Sequence, residues 1–161
     1  MPTSDASEPY GLPQLNFPPA AFRFGSSGDV PTIFDPFRKK YVALSREEWV
    51  RQHILAYLTD HLHYPAGLIC VEKSLILNRM AKRADILVYN RLHRPAMLVE
   101  CKAPEVALTR PVFEQIARYN LVFRVSFLLV TNGLDHYVFH VSFETGALAV
   151  APEIPPFEAL G

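Results

Sequence analysis

Half of the fourteen prolines in this 161-residue chain fall within its first 36 positions, and no other feature limits the fold as much. Proline fixes its own φ and donates no backbone N–H, so neither a long helix nor a central strand runs far through such a stretch. Residues 1–36 are therefore expected to form an irregular arm, and residues 152–161, with Pro152, Pro155 and Pro156, a second proline-rich tail. Regular structure is left to residues 37–151, enough for one hydrophobic core. The arm is not plainly hydrophilic. Leu15, Phe17, Phe22, Phe24, Ile33, Phe34 and Phe37 could lie as an extended strip on the core or on a partner, and a disordered tail carries fewer aromatics.

Local patterns fill the middle. Ser45-Arg46-Glu47-Glu48 has the form of a capping box, with Ser45 as N-cap and Glu48 at the third helical position, and opens a helix to about residue 63 that Tyr64-Pro65-Ala66-Gly67 stops. Apolar and β-branched runs at 68–77, 84–89 and 96–102 predict strands, the last two joined by a turn over 90–95. A helix over 109–123 tolerates Pro111 in its first turn. Strands at 125–131 and 136–142 follow, joined by Asn132-Gly133-Leu134-Asp135, with 147–151 as a further candidate. The order α-β-β-β-α-β-β implies an α/β domain whose mixed β-sheet has a helix on each side.

Sixteen bases balance sixteen acids, which excludes a protein that holds nucleic acid or membrane by overall basicity. The balance is uneven along the chain: residues 73–124 carry ten bases against four acids, and residues 125–161 carry four acids and no base. Lys73, Arg79, Lys82, Arg83, Arg91, Arg94, Arg110, Arg118 and Arg124 provide several phosphate contacts if they share a face, and a solvated basic surface if they do not. Two cysteines, Cys70 and Cys101, are too few for a disulfide scaffold or a multi-thiolate metal site. The opening residues lack the basic and apolar regions of a signal peptide, and no apolar run approaches the roughly 20 residues that span a bilayer. A soluble protein of a reducing compartment, the cytoplasm, is the expectation.

Strand periodicity puts Leu98, Glu100 and Lys102 on one face and Val99 and Cys101 on the other, which makes Cys101 core filling rather than a nucleophile. If 84–89 pairs with this strand around the 90–95 turn, Asp85 arrives beside Glu100 and Lys102. Two carboxylates so close raise each other's pKa, and a divalent cation accepting their oxygens removes that cost. Oxygen donors favour Mg²⁺ or Mn²⁺ over zinc. Lys102 could then orient or deprotonate a water, or neutralise charge on a phosphate oxygen. The competing reading is an Asp–Lys–Glu salt-bridge cluster that closes the sheet edge.

On a helical wheel set at Val50, Ile54, Tyr57, Leu58, His61 and Leu62 centre near about 50° and Glu47 lies at about 60°. Glu47 is thus a candidate third carboxylate aimed at the sheet, with an ion pair to Arg51 as its alternative, whereas the capping box accounts for Glu48. Trp49, at about 260°, covers the arm or meets a partner. Gln115 and Tyr119, four apart, share a helix face and, taken alone, read as a surface hydrogen-bonding pair. The six histidines show no zinc-like cluster and read as packed or surface residues.

Four ordered motifs, Ser45-Arg46-Glu47-Glu48-Trp49-Val50-Arg51-Gln52, Lys82-Arg83-Ala84-Asp85-Ile86, Leu98-Val99-Glu100-Cys101-Lys102-Ala103-Pro104 and Gln115-Ile116-Ala117-Arg118-Tyr119-Asn120, resemble the N-terminal nuclease domain of type I restriction enzyme R subunits, within the PD-(D/E)xK nuclease superfamily. The resemblance covers roughly residues 35–145. It implies a restriction-endonuclease-like fold and a Mg²⁺-dependent deoxyribonuclease, with Mn²⁺ able to substitute. Asp85 and Glu100 would be metal ligands, Glu47 the helix-borne acid that joins them, Lys102 the catalytic lysine, and Gln115 with Tyr119 the Gln-x-x-x-Tyr motif of members that work beside helicase motors. Ala84 stands where the superfamily's name has proline, and the chain has no Gly-x-x-x-x-Gly-Lys-Ser/Thr phosphate loop. Three functions follow: a stand-alone DNA endonuclease, a nuclease module served by a separate helicase or methyltransferase, and a non-catalytic DNA- or protein-binding module on the same fold. A homo-oligomer is compatible with each, and none calls for a membrane.

Overall fold

Short apolar runs and two helices give the order β1 (Phe24–Ser27), β2 (Val30–Asp35), β3 (Lys40–Ala43), α1 (Arg46–Ala56), β4 (Ile69–Leu77), β5 (Met80–Tyr89), β6 (Pro95–Cys101), α2 (Arg110–Phe123), β7 (Phe127–Thr131), β8 (His136–Val141) and β9 (Leu148–Ala151). The computed structural model describes residues 9–77 and 79–161. Strands β4 to β9 make one six-stranded sheet in chain order. Neighbours are antiparallel except β6 and β7. A parallel pair needs a crossover connection, and α2 supplies it. From α1 onward, the mixed sheet and element order are those the sequence predicts, with β9 present.

Period-two alternation divides the interior into two layers. Ile86, Val88, Met97, Val99 and Leu129 pack with Val50, Ile54, Leu55 and Leu58 of α1, while Leu87, Leu98, Leu128 and Val130 pack with Ile116 and Phe123 of α2. Strand β6 is buried on both faces, which is why Ala96 to Cys101 reads as an almost unbroken apolar run.

The N-terminal region differs from the irregular arm expected of it. β1, β2 and β3 form an antiparallel meander, with Phe24 opposite Ile33 and Thr32 opposite Ala43. Pro31 is accommodated because it stands at the last rung toward β3, where its carbonyl accepts the Leu44 N–H at 2.9 Å and no further rung needs its missing donor. Counting prolines without their register hid the sheet. Residues 12–22 have no regular structure, yet they lie on the core: Leu12 and Leu15 are buried, Phe17 and Phe22 pack against it, and the Trp49 indole N–H donates to the Pro13 carbonyl at 3.0 Å. Gly133 has φ 87°, and a Cβ there would meet Leu15 at 2.8 Å, so the β7–β8 turn admits the arm only as glycine. The C-terminal tail is likewise part of the core, with Phe157 and Leu160 buried and the Tyr64 hydroxyl donating to the Pro155 carbonyl.

Because the meander and arm cover the side of α1 turned away from the large sheet, every residue from Glu48 to Leu55 is buried. Ser45 caps the helix, its hydroxyl accepting the Glu48 N–H at 3.0 Å. The reciprocal half of the expected capping box does not form: the Ser45 N–H donates to the Ala43 carbonyl, and the Glu48 carboxylate accepts from Arg38 of the β2–β3 turn, from Arg51 at 2.8 Å and from Gln52 at 3.3 Å. Arg38 also donates to Asp35, which is fully buried and accepts the Phe37 and Arg38 N–H groups at 2.7 and 3.2 Å. Removing one member of such a buried set strands its partners. Glu48→Ala leaves two guanidiniums without their shared acceptor, and urea unfolding should show it less stable than wild type by about 3–5 kcal/mol.

Candidate functional site

At one end of the large sheet, α1, β5 and β6 bring charged side chains together. The β5–β6 ladder pairs Val88 with Met97, Leu87 with Leu98 and Ile86 with Val99. One rung further, Asp85 stands opposite Glu100, but there the Cys101 N–H donates to Asp85 Oδ2 at 2.8 Å instead of to a strand carbonyl. Across β4, Glu72 has φ 56°, and the Glu72–Asp85 rung is missing from a ladder that keeps one register from Val71–Ile86 to Lys73–Ala84. The sheet therefore opens at Asp85, and side chains replace backbone as hydrogen-bond partners. Lys102 follows β6, its N–H donating to the Thr131 carbonyl at 2.9 Å, and its Nζ lies 3.2 Å from Glu100 Oε1. From α1, Arg51 donates through Nη2 to Asp85 Oδ1 at 2.9 Å and to Glu47 Oε1 at 3.3 Å.

These groups share one electrostatic field. Burial, then the negative charge of Asp85, pushes the Glu100 carboxyl up to about 7 against the pull of Lys102. Glu47 is raised by burial and then by Asp85, with Arg51 and Lys102 opposing. For Lys102 burial works downward, but the charge and hydrogen bond of Glu100, with Glu47 and Asp85 behind them, carry its pKa above the usual lysine value. Arg51 is likewise held charged by Glu48 and Asp85 despite its burial. Cys101, fully enclosed, has its thiol pushed up by burial and is no nucleophile.

Of the residues singled out from sequence, Glu47, Asp85, Glu100 and Lys102 come together. Glu47 does so from a position about half exposed, its side chain 46% accessible, and the ion pair with Arg51 forms as well. The helical wheel singled out Glu47, yet Glu48 is the buried acid, because α1 has neighbours on two sides rather than one apolar stripe. Gln115 and Tyr119 make a pair on α2, Nε2 donating to the phenol oxygen at 3.2 Å, with Lys82 Nζ 5.0 Å from the Tyr119 ring centroid. Among the described residues no hydrogen bond links either to Asp85, Glu100 or Lys102. Arg38, Glu72 and the link from Arg51 to Asp85 are not foreseen from sequence; a charged residue inside a buried helix segment is a signal for Arg51 alone, since Arg38 lies in the β2–β3 turn and Glu72 in β4. Trp49 covers the arm, and His53 and His136 are packed, His53 donating to the Trp49 carbonyl at 2.8 Å and His136 to that of Asn16 at 3.1 Å.

Asp85 and Glu100 can offer only oxygen donors, the type suited to a hard dication. Among the described residues no three His, Cys, Asp or Glu side chains group to cage an ion. Two adjoining carboxylates, one of them driven toward protonation by its burial and then by the other, nevertheless suit Mg²⁺, which commonly binds through one or two carboxylates and keeps several waters.

Comparison with known proteins agrees with this architecture. The family model for the type I restriction enzyme R protein N terminus matches residues 46–155, a span running from the first turn of α1 to the tail. Among solved structures, a fragment of an HsdR subunit of a type I restriction enzyme from Vibrio vulnificus YJ016 superposes with a TM-score of 0.50 at 19% identity, over 73% of this chain and 24% of that one. The present chain thus spans about a quarter of that fragment, and at such identity the likeness bears on the fold. No curated protein matches. Most of the chain, including α1, the large sheet and the four charged residues at its end, falls within the matched span, and the chain belongs to the family of type I restriction enzyme R protein N termini.

Proposed function

We propose that the chain is a Mg²⁺-dependent deoxyribonuclease that hydrolyses DNA phosphodiester bonds at the Asp85–Glu100–Lys102 cluster. The observation that carries the reading is the meeting of Asp85, Glu100 and Lys102 where β6 ends, with the Cys101 N–H on Asp85 at 2.8 Å and Lys102 Nζ 3.2 Å from Glu100; burial and Asp85, pushing the Glu100 carboxyl up to about 7, support it. A structural salt bridge holds its acid ionised, whereas burial and the charge of Asp85 raise Glu100 even with Lys102 on Glu100 and Arg51 on Asp85. Asp85 and Glu100 would hold the cation, with Glu47 at the rim as the helix-borne acid. The bound dication would supply Lewis-acid stabilisation and an activated water. Lys102, whose pKa lies above the ordinary lysine value, serves as an ammonium facing charge that develops on a phosphate oxygen rather than as a base. Gln115 and Tyr119 would position nucleic acid from α2, and the basic segment 73–124 would hold its backbone.

A second reading, a nuclease module that cleaves only when a helicase or methyltransferase partner delivers DNA, is favoured by the balance of sixteen bases against sixteen acids, which leaves no net charge to hold DNA unaided. Nicking of supercoiled plasmid by the chain alone supports the first. Cleavage only in a reconstituted complex supports the second, and no cleavage in either, with DNA still bound, leaves a binding module.

Lys102→Ala should lower Mg²⁺-supported nicking at least about 100-fold, while urea unfolding stays within about 1 kcal/mol of wild type because little apolar area is lost. Wild-type nicking by that variant removes Lys102 from the mechanism.

The raised Glu100 pKa also makes a stability prediction. Without metal the folded state keeps the Glu100 proton to about pH 7, whereas the unfolded chain releases it near the ordinary value of 4.5. Between these limits the native state binds more protons, so the contribution of Glu100 to stability falls as pH rises through this window and is level above it. Urea midpoints measured from pH 4.5 to 7 should decline more for wild type than for Glu100→Gln, and saturating Mg²⁺ should remove the difference in slope. Parallel profiles without metal would contradict the raised pKa.

A further inference from the structure

The site carries a cation of its own. Arg51 has a side chain only 6% exposed, and both of its terminal nitrogens are spent on carboxylates, Nη2 on Asp85 and Nη1 on Glu48. Both Asp85 oxygens are in turn engaged, Oδ1 by Arg51 at 2.9 Å and Oδ2 by the Cys101 N–H at 2.8 Å. We propose that Arg51 is the resident counter-cation of Asp85, and that a divalent ion binds by displacing it. This rests on the reading of Asp85 and Glu100 as metal-holding carboxylates.

Three observations carry the exchange. First, of the two groups on Asp85, only Arg51 can leave without opening the strand, because the other is a backbone donor at the end of β6. Second, Arg51 has a berth to move to: Glu48 Oε1 is at 2.8 Å, Glu47 Oε1 at 3.3 Å and Glu72 Oε1 at 3.7 Å, so release from Asp85 leaves it paired. Third, its buried Nε–H has no acceptor among the described residues, so the present pose leaves one donor of the fork unused. A guanidinium and a dication a few ångströms apart on one carboxylate repel, and the mobile side chain gives way.

The test measures Mn²⁺ binding by electron paramagnetic resonance on wild type, Arg51→Met and Arg51→Lys, without DNA. Arg51→Met should bind about tenfold more tightly than wild type. Arg51→Lys, whose single ammonium cannot fork between Glu48 and Asp85, should lie between the two. On the wild-type protein, which avoids any loss of folding in the variants, the ¹⁵N-edited resonance of the Arg51 Nε–H should shift on Mg²⁺ addition and saturate with the metal. Affinity unchanged or weakened in a folded variant, or an Nε–H resonance unmoved at saturating Mg²⁺, overturns the exchange and leaves the metal site standing. Absence of Mn²⁺ binding in every folded protein tested overturns the metal-site reading and the exchange with it.

Discussion

A line of alternating charges, Asp35, Arg38, Glu48, Arg51 and Asp85, runs from the turn after β2 through the first turns of α1 to the opened end of the large sheet. Each member is buried or nearly so, and each of the three inner charges has a partner of opposite sign on either side. Charges in a low-dielectric interior persist only when paired in this way, and the pairing in turn holds three segments distant in sequence in one arrangement. The N-terminal meander, the helix and the carboxylate cluster are thereby one mechanical unit.

That unit explains why α1 is buried almost all round although it is not apolar all round. Trp49 and His53 turn toward the arm and meander, where Phe22 lies 5.4 and 4.8 Å from their rings, while Val50, Ile54 and Leu58 turn toward the sheet. The charged side chains occupy the seam between the two surfaces. From that seam Arg51 reaches Asp85, and Glu47 reaches the rim of the site.

The opened end of the sheet arises from a local failure of strand pairing. With the rung to Glu72 missing on one side and the Cys101 N–H turned to a side chain on the other, Asp85 lies in a gap in the ladder. Such a gap sets two carboxylates close together, each with one cation, and burial with the charge of Asp85 still raises the Glu100 carboxyl. A fully paired ladder with the same residues would make a quiet sheet edge.

Residue order alone was enough for the strands and helices of the large sheet, for the convergence of Asp85, Glu100 and Lys102, and for the burial of Cys101, because hydrophobic period and turn chemistry act over a few neighbouring residues. It also carried the family resemblance, whose motifs, Ser45 apart, lie in the span that the family model matches. Folding in three dimensions decided the rest. The β1–β3 meander depends on the register that tolerates Pro31, and the buried role of Glu48 depends on a second surface closing over α1. The placing of Arg51 against Asp85 joins residues 34 positions apart. A wheel drawn from one helix assumes a single apolar face, and no local pattern records what packs on the other side or which distant acid a buried guanidinium will meet.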